Sequence, residues 1–94
     1  MPNFSTPTFY INLDRDVSRR TRLEEELASV CLHAERISAV DGCAVPDWLE
    51  SFYDHRMSAG ETGCSASHLV IYRMIVERGL PYALILEDDA RLEP

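Results

Sequence analysis

The chain has 94 residues, 46% of them hydrophobic and 27% charged, which fits one globular domain and excludes both a two-domain protein and a disordered chain. Sixteen acidic residues against nine basic ones, all of these arginine, leave a net charge of -7 and argue against a nucleic-acid partner. No apolar run approaches the roughly 20 residues of a transmembrane segment, and the opening MPNFSTPTFY lacks the basic-then-apolar pattern of a secretory signal.

The first predicted element is a strand over Thr8–Leu13, rich in aromatic and β-branched residues and closed by polar Asp14-Arg15-Asp16. A helix follows, with Asp16 as its expected N-cap and Leu23, Leu27, Val30 and Cys31 on one face. Thr21 with Glu24 forms a competing capping box one turn on. A weaker strand is expected over Ala34–Ser38. Signals between Val40 and Met57 are mixed: Asp41-Gly42 marks a turn, and Pro46-Asp47-Trp48-Leu49 opens a short helix. Ser58 and Glu61 have capping-box spacing before a second long helix. Its expected apolar stripe is Cys64, His68, Ile71, Tyr72, Ile75 and Val76, with Gly79 as the C′ residue and Pro81 barring continuation. The last strand is Tyr82–Leu86, nearly all apolar, running into Glu87-Asp88-Asp89. Strands that are continuously apolar suit a parallel sheet covered on both faces. The order implies an α/β fold, a small, mainly parallel three-stranded βαβ sheet with flanking helices. So thin a sheet is about half of a nucleotide-binding α/β domain, and points to a shortened chain or to completion by association as a homo-oligomer.

Chemistry is expected where ligands bind in open α/β sheets, outside the carboxyl ends of the strands. Glu87, Asp88 and Asp89 stand there together. Two such charges about 6 Å apart repel by roughly 2–3 kcal/mol at an effective dielectric near 20. A hard cation, Mg²⁺ or Mn²⁺ carrying phosphate oxygens, would relieve that repulsion; a solvated acidic loop is the competing reading. Asn12, Asp14 and Arg15 close the first strand, and Arg19, Arg20 and Arg22 follow in the first turns of the helix, where cations oppose the helix dipole. That arrangement suits either a bound phosphate or a salt-bridged face. The small residues of Ser58–Ser67 permit a close approach by a strand or a ligand. Cys64 and His68 lie one helical turn apart, but two ligands do not make a zinc site, so both are expected to pack structurally. The odd set of three cysteines, without a CxxC pair, reads as reduced thiols in a cytoplasmic protein.

Taken together, F-Y-I-N-L-D-R with Arg19-Arg20, A-V-D-G at 39–42, S-A-G-E-T-G-C-S-A-S-H at 58–68 and A-L-I-L-E-D-D-A at 83–90 resemble glycosyltransferase family 25, which includes lipooligosaccharide and collagen galactosyltransferases. The resemblance runs from Phe9 to Leu92 and covers the N-terminal part of the family's domain. It implies the N-terminal half of a GT-A nucleotide-diphospho-sugar fold, with residues 1–94 as a single, incomplete nucleotide-sugar-binding unit. Asn12, Asp14, Arg15, Arg19, Glu87 and Asp88 would then contact the nucleotide sugar. Asp89 and Glu87 would hold the divalent metal, Mn or Mg, in the role of a D-x-D motif. The implied reaction moves a hexose, galactose, from a UDP-sugar to a lipooligosaccharide or lipopolysaccharide core. Its place would be the cytoplasm or the inner-membrane periphery. The catalytic base is not identified.

Two other functions are weighed against this one. A module of the same ancestry could bind a nucleotide or a partner without turnover. L-I-L-E-D-D-A-R-L also resembles the opening strand of a Mg-binding response-regulator receiver domain, but here the motif closes the chain instead of opening it.

Overall fold

A computed structural model describes residues 6–51 and 56–92; residues 52–55, within the stretch of mixed signals, lie outside the description. Six elements follow in order: β1 (Thr8–Asn12), α1 (Val17–Ser29), β2 (Glu35–Ser38), α2 (Asp47–Glu50), α3 (Ala59–Glu77) and β3 (Leu84–Glu87). The strands form one parallel sheet in the order β2-β1-β3. The chain steps from β1 to one neighbour through α1, then crosses to the other side of β1 through α2 and α3. The direction therefore reverses at β1, and the crevice beside it is a switch point.

Because side chains alternate along a strand, each strand feeds two cores. Phe9, Ile11 and Ile37 pack with Ile71 of α3, joined by Ile85, Val70 and Met74. Tyr10 packs on the opposite face with Leu23 and Leu27 of α1, joined by Leu86. All five residues of β1 are buried. The register sets Phe9 beside Ile85, Tyr10 beside Leu86 and Ile11 beside Glu87.

The helix ends follow local rules. Ser58 caps α3 by accepting a hydrogen bond from the Glu61 backbone N–H at 3.1 Å. At the other end, the Gly79 N–H bonds to the Val76 carbonyl and the Leu80 N–H to the Ile75 carbonyl, with Gly79 at φ +63°. This is a Schellman closure, and glycine adopts its left-handed residue without strain. Helix α1 ends with the same bonds, Cys31 to Ala28 and Leu32 to Leu27, but Cys31 itself takes φ 54°.

Two expectations need correction, and a third holds in position only. Asp16 stands at the N-cap of α1, yet its side chain makes no capping bond. Thr21 starts no helix; its hydroxyl donates back to the Val17 carbonyl inside α1. The stripe expected on α3 is rotated. Tyr72 and Val76 are 50% and 79% exposed, while Thr62, Gly63, Ala66, Ser67 and Ile71 are buried. The physical reason is a close crossing. A Cβ on Gly63 would sit 2.7 Å from the Val40 carbonyl oxygen, and one on Gly42 would sit 1.6 Å from that of Ala59. Only small residues let the β2–α2 loop lie on the first turns of α3, so Thr62, Gly63, Ala66 and Ser67 turn inward there and Ile71 follows one turn on.

Candidate functional site

The carboxyl ends of β1 and β3 open onto a cleft of about 360 Å³. Its lining comes from the β1–α1 connection, the Ala39–Cys43 loop, the first turns of α3 and the acidic triplet after β3. Asn12, Arg15, Arg19, Glu87, Asp88 and Asp89 all line it, so the structure gathers six of the seven expected site residues. Asp14 is not among the lining residues. Its carboxylate accepts from Arg36 at 2.6 Å and Ser38 at 2.8 Å, bonds that hold it below the usual carboxylate range.

Strand parity divides the triplet. Asp88 extends the face of β3 that carries Leu86, and it turns toward α1. It is 9% exposed. One carboxylate oxygen accepts from Asn12 Nδ2 at 2.9 Å, the other faces Arg19 Nη1 at 3.4 Å, and the Asp88 carbonyl accepts from Arg22. Asn12 is 1% exposed, and its polar atoms are engaged in a chain of bonds. Nδ2 also donates to the Asp16 carbonyl, while Oδ1 accepts from Arg36 Nε at 3.1 Å. A buried carboxylate is stable only when paired and hydrogen-bonded, and this network supplies both. The arginines at the start of α1 thus find an anion within the chain itself. Arg19 nonetheless stays 61% exposed along its side chain.

Glu87 extends the other face and turns toward α3. Its Oε1 accepts from the Cys64 thiol at 3.0 Å and lies 3.7 Å from His68 Nε2. That thiol is pushed above its ordinary pKa, first by the hydrogen bond to Glu87, then by burial and by the charges of Glu87 and Asp89. The expectation that Cys64 and His68 only pack structurally is corrected: Cys64 is exposed, His68 is half-buried, and both face a carboxylate from the sheet. Spacing showed two donors on one helix; the third arrives from β3, which spacing does not reveal.

The opposite wall is built from residues that the sequence marked only as a turn. Asp41 accepts from the Cys43 N–H at 2.9 Å and from Arg15 at 3.2 Å, and these bonds hold it below the usual carboxylate range. Ser67 accepts from the Val40 N–H at 2.9 Å and donates to the Gly63 carbonyl at 2.7 Å, fastening the loop to α3. Arg36, Asp41 and Ser67 were all missed as site residues. A-V-D-G followed by a small-residue helix start was the available signal.

The family profile for "Glycosyltransferase family 25 (LPS biosynthesis protein)" matches residues 5–94. The chain belongs to glycosyltransferase family 25. A Drosophila melanogaster protein named glycosyltransferase 25 family member is 35% identical over 92% of this chain. Danio rerio procollagen galactosyltransferase 1 is also 35% identical, over 90% of the chain. A Mus musculus protein named inactive glycosyltransferase 25 family member 3 is 31% identical over 90% of the chain. The chain spans about 16–17% of the length of these relatives. Among the described residues, no helix is long and apolar enough to cross a membrane. All three cysteines are free thiols.

Proposed function

We propose that this chain supplies the nucleotide-sugar-binding part of a family 25 glycosyltransferase, within a domain of which residues 1–94 are one portion. The observation that carries the reading is the cleft at the switch point, where Arg15 and Arg19 face Glu87 and Asp89 across the ends of β1 and β3. Guanidinium groups suit a diphosphate, and Arg19 keeps most of its surface free for one. Asn12 and Asp88 position rather than contact: their bonds set the height of Arg19 and the direction of the strand ends. Asp14 acts one step further out, through Arg36.

The donor set fits a hard divalent cation, Mn²⁺ or Mg²⁺. Asp88 is occupied by Asn12 and Arg19, which leaves Glu87 and Asp89 as the oxygen ligands, and such ions take one or two carboxylates together with substrate phosphates. When bound, the metal neutralises charge that develops on the departing diphosphate. The transferred sugar in this reading is galactose from a UDP donor, supported by the names of the galactosyltransferase relatives. The family description supports a lipopolysaccharide-type acceptor, and the fish relative's name supports procollagen; the acceptor proposed is a lipooligosaccharide core. A cytoplasmic or inner-membrane-peripheral setting suits three free thiols.

Calorimetric titration of the chain with UDP, with and without Mn²⁺, tests this reading. The expected result is mutual strengthening by nucleotide and metal, equal in both directions, and its loss in Asp89→Asn. Equal UDP binding with and without metal would refute the metal bridge. A second reading, a binding module without turnover, is favoured by the relative named inactive. It predicts UDP binding but neither transfer nor hydrolysis of UDP-galactose.

A further inference from the structure

We propose that Cys64, His68 and Glu87 form a binding site for a borderline divalent cation, zinc in the first instance, separate in chemistry from the hard-cation role of Glu87 and Asp89. One ligand atom from each residue lies within 4.8 Å of the other two. Tetrahedral zinc at 2.3 Å from sulfur and about 2.0–2.2 Å from nitrogen and oxygen places its ligands roughly 3.4–3.6 Å apart. The Cys64–Glu87 and His68–Glu87 separations are 3.0 and 3.7 Å, so two of the three edges stand within about half an ångström of that spacing, and the third lies within 4.8 Å.

The positions are not accidental products of flexible side chains on one loop. Cys64 and His68 are four residues apart on α3, which puts both on one helical face. Glu87 ends β3 on the face directed at α3, as its pairing with Ile11 requires. Two rigid elements therefore meet with their donors converging.

The chemistry of the donors decides the metal. A thiolate and an imidazole select zinc and its neighbours, whereas magnesium and manganese prefer oxygen throughout. Three protein ligands would leave a fourth position for water or a ligand, and two of the three, Cys64 and Glu87, line the cleft. Binding breaks the S–H bond: the thiol that donates to Glu87 releases its proton to solvent, sulfur binds as thiolate, and His68 binds as the neutral ring. Nearby Asp89 adds negative charge that favours the cation.

The two readings share Glu87, so the test uses the metal without nucleotide and reads Cys64 and His68, which the nucleotide-sugar reading does not use. Zinc is titrated into the chain, and cobalt is added as a spectroscopic probe. The expected result is one zinc per chain and a sulfur-to-cobalt charge-transfer band. Cys64→Ser should abolish the band, and the double variant Cys31→Ser/Cys43→Ser should retain it. Removing a direct ligand, in Cys64→Ser or His68→Gln, should weaken zinc binding at least as much as the roughly 10–100-fold seen for outer-shell partners. Circular dichroism shows whether each variant is folded, and His68→Gln decides the matter if Cys64→Ser is not. Absence of zinc binding, a band that survives Cys64→Ser, or zinc affinity unchanged in His68→Gln overturns the proposal.

Discussion

The two walls of the cleft carry adjacent carboxylates yet differ in kind. On the α1 wall Asp88 is buried, and its oxygens are committed to Asn12, Arg19 and Arg22. On the α3 wall Glu87 is exposed and shares one oxygen with the Cys64 thiol, which lines the cleft, and with the His68 imidazole. Parity along β3 makes the difference, since successive side chains emerge on opposite faces. One face meets a helix start carrying arginines, the other a helix start built from small residues. The lesson is that an acidic run at a strand end is not one site. One member fastens the sheet to a helix, and its neighbours stay exposed along the cleft.

The sharpest way to break the closed wall is Asn12→Asp. The new carboxylate would face Asp88 at hydrogen-bond range, and two like charges about 4 Å apart repel by roughly 4 kcal/mol at an effective dielectric of 20. Arg36 offsets part of this through its existing bond to the Asn12 side chain. Urea denaturation should show a loss of a few kcal/mol at pH 7, smaller below pH 4, where carboxylates protonate.

The open wall is broken at its seam. Gly42→Ala drives a Cβ into the Ala59 carbonyl, where 1.6 Å is available, so the loop must lift from α3. A stability loss of about 1–3 kcal/mol is expected. UDP binding should fall with it, because Asp41, Gly42 and Cys43 all line the cleft. Intact UDP affinity in a folded Gly42→Ala chain would show that the seam does not shape the site.

Tyr10 sharpens the contrast from the closed side. Burial first, then the 2.6 Å hydrogen bond to Glu24, raises its pKa from 10.0 to about 12. The folded state thus holds the phenol proton more tightly than the unfolded chain does. This contribution to stability is complete below pH 10 and is lost as pH rises from 10 through 12. In Tyr10→Phe that part of the alkaline decline should vanish, at a cost of about 1 kcal/mol at neutral pH for the lost hydrogen bond. An alkaline profile identical to that of the unsubstituted chain would mean that Tyr10 titrates normally.

The smallest effect compares the two helix ends. Both close with the Schellman pattern, but Gly79 holds the left-handed position in α3 and Cys31 holds it in α1. Cys31→Gly removes strain of roughly 1 kcal/mol and adds unfolded-state entropy, for a net gain of a few tenths of a kcal/mol. A midpoint that falls instead would show that the Cys31 side chain contributes more than its backbone costs.

Much of the fold was legible because it is local. Each strand was placed to within two residues. Ser58 and Gly79 delimited α3 through capping chemistry that needs only neighbours in sequence. The short helix after Pro46 was visible too, and its Leu49 is fully buried. The face of α3 was misread because periodicity weighs side-chain hydropathy, while close backbone approach selects for small size whatever the polarity. The β3 strand, apolar throughout, was expected to be buried; it lies at the sheet edge with Leu84 38% exposed.

By itself the sequence determined the βαβ order, the parallel pairing that this order demands, and the gathering of charged residues at strand ends, because these follow from periodicity, caps and chain connectivity. Parity even contained the split between Glu87 and Asp88. What met each carboxylate was decided only in three dimensions. Asn12 is 76 residues from Asp88, and Cys64 is 23 from Glu87. Their contacts exist because β1 lies beside β3 and because α3 packs on the sheet face that carries Glu87. Such distances between elements depend on crossing geometry, and no local pattern in the chain encodes them.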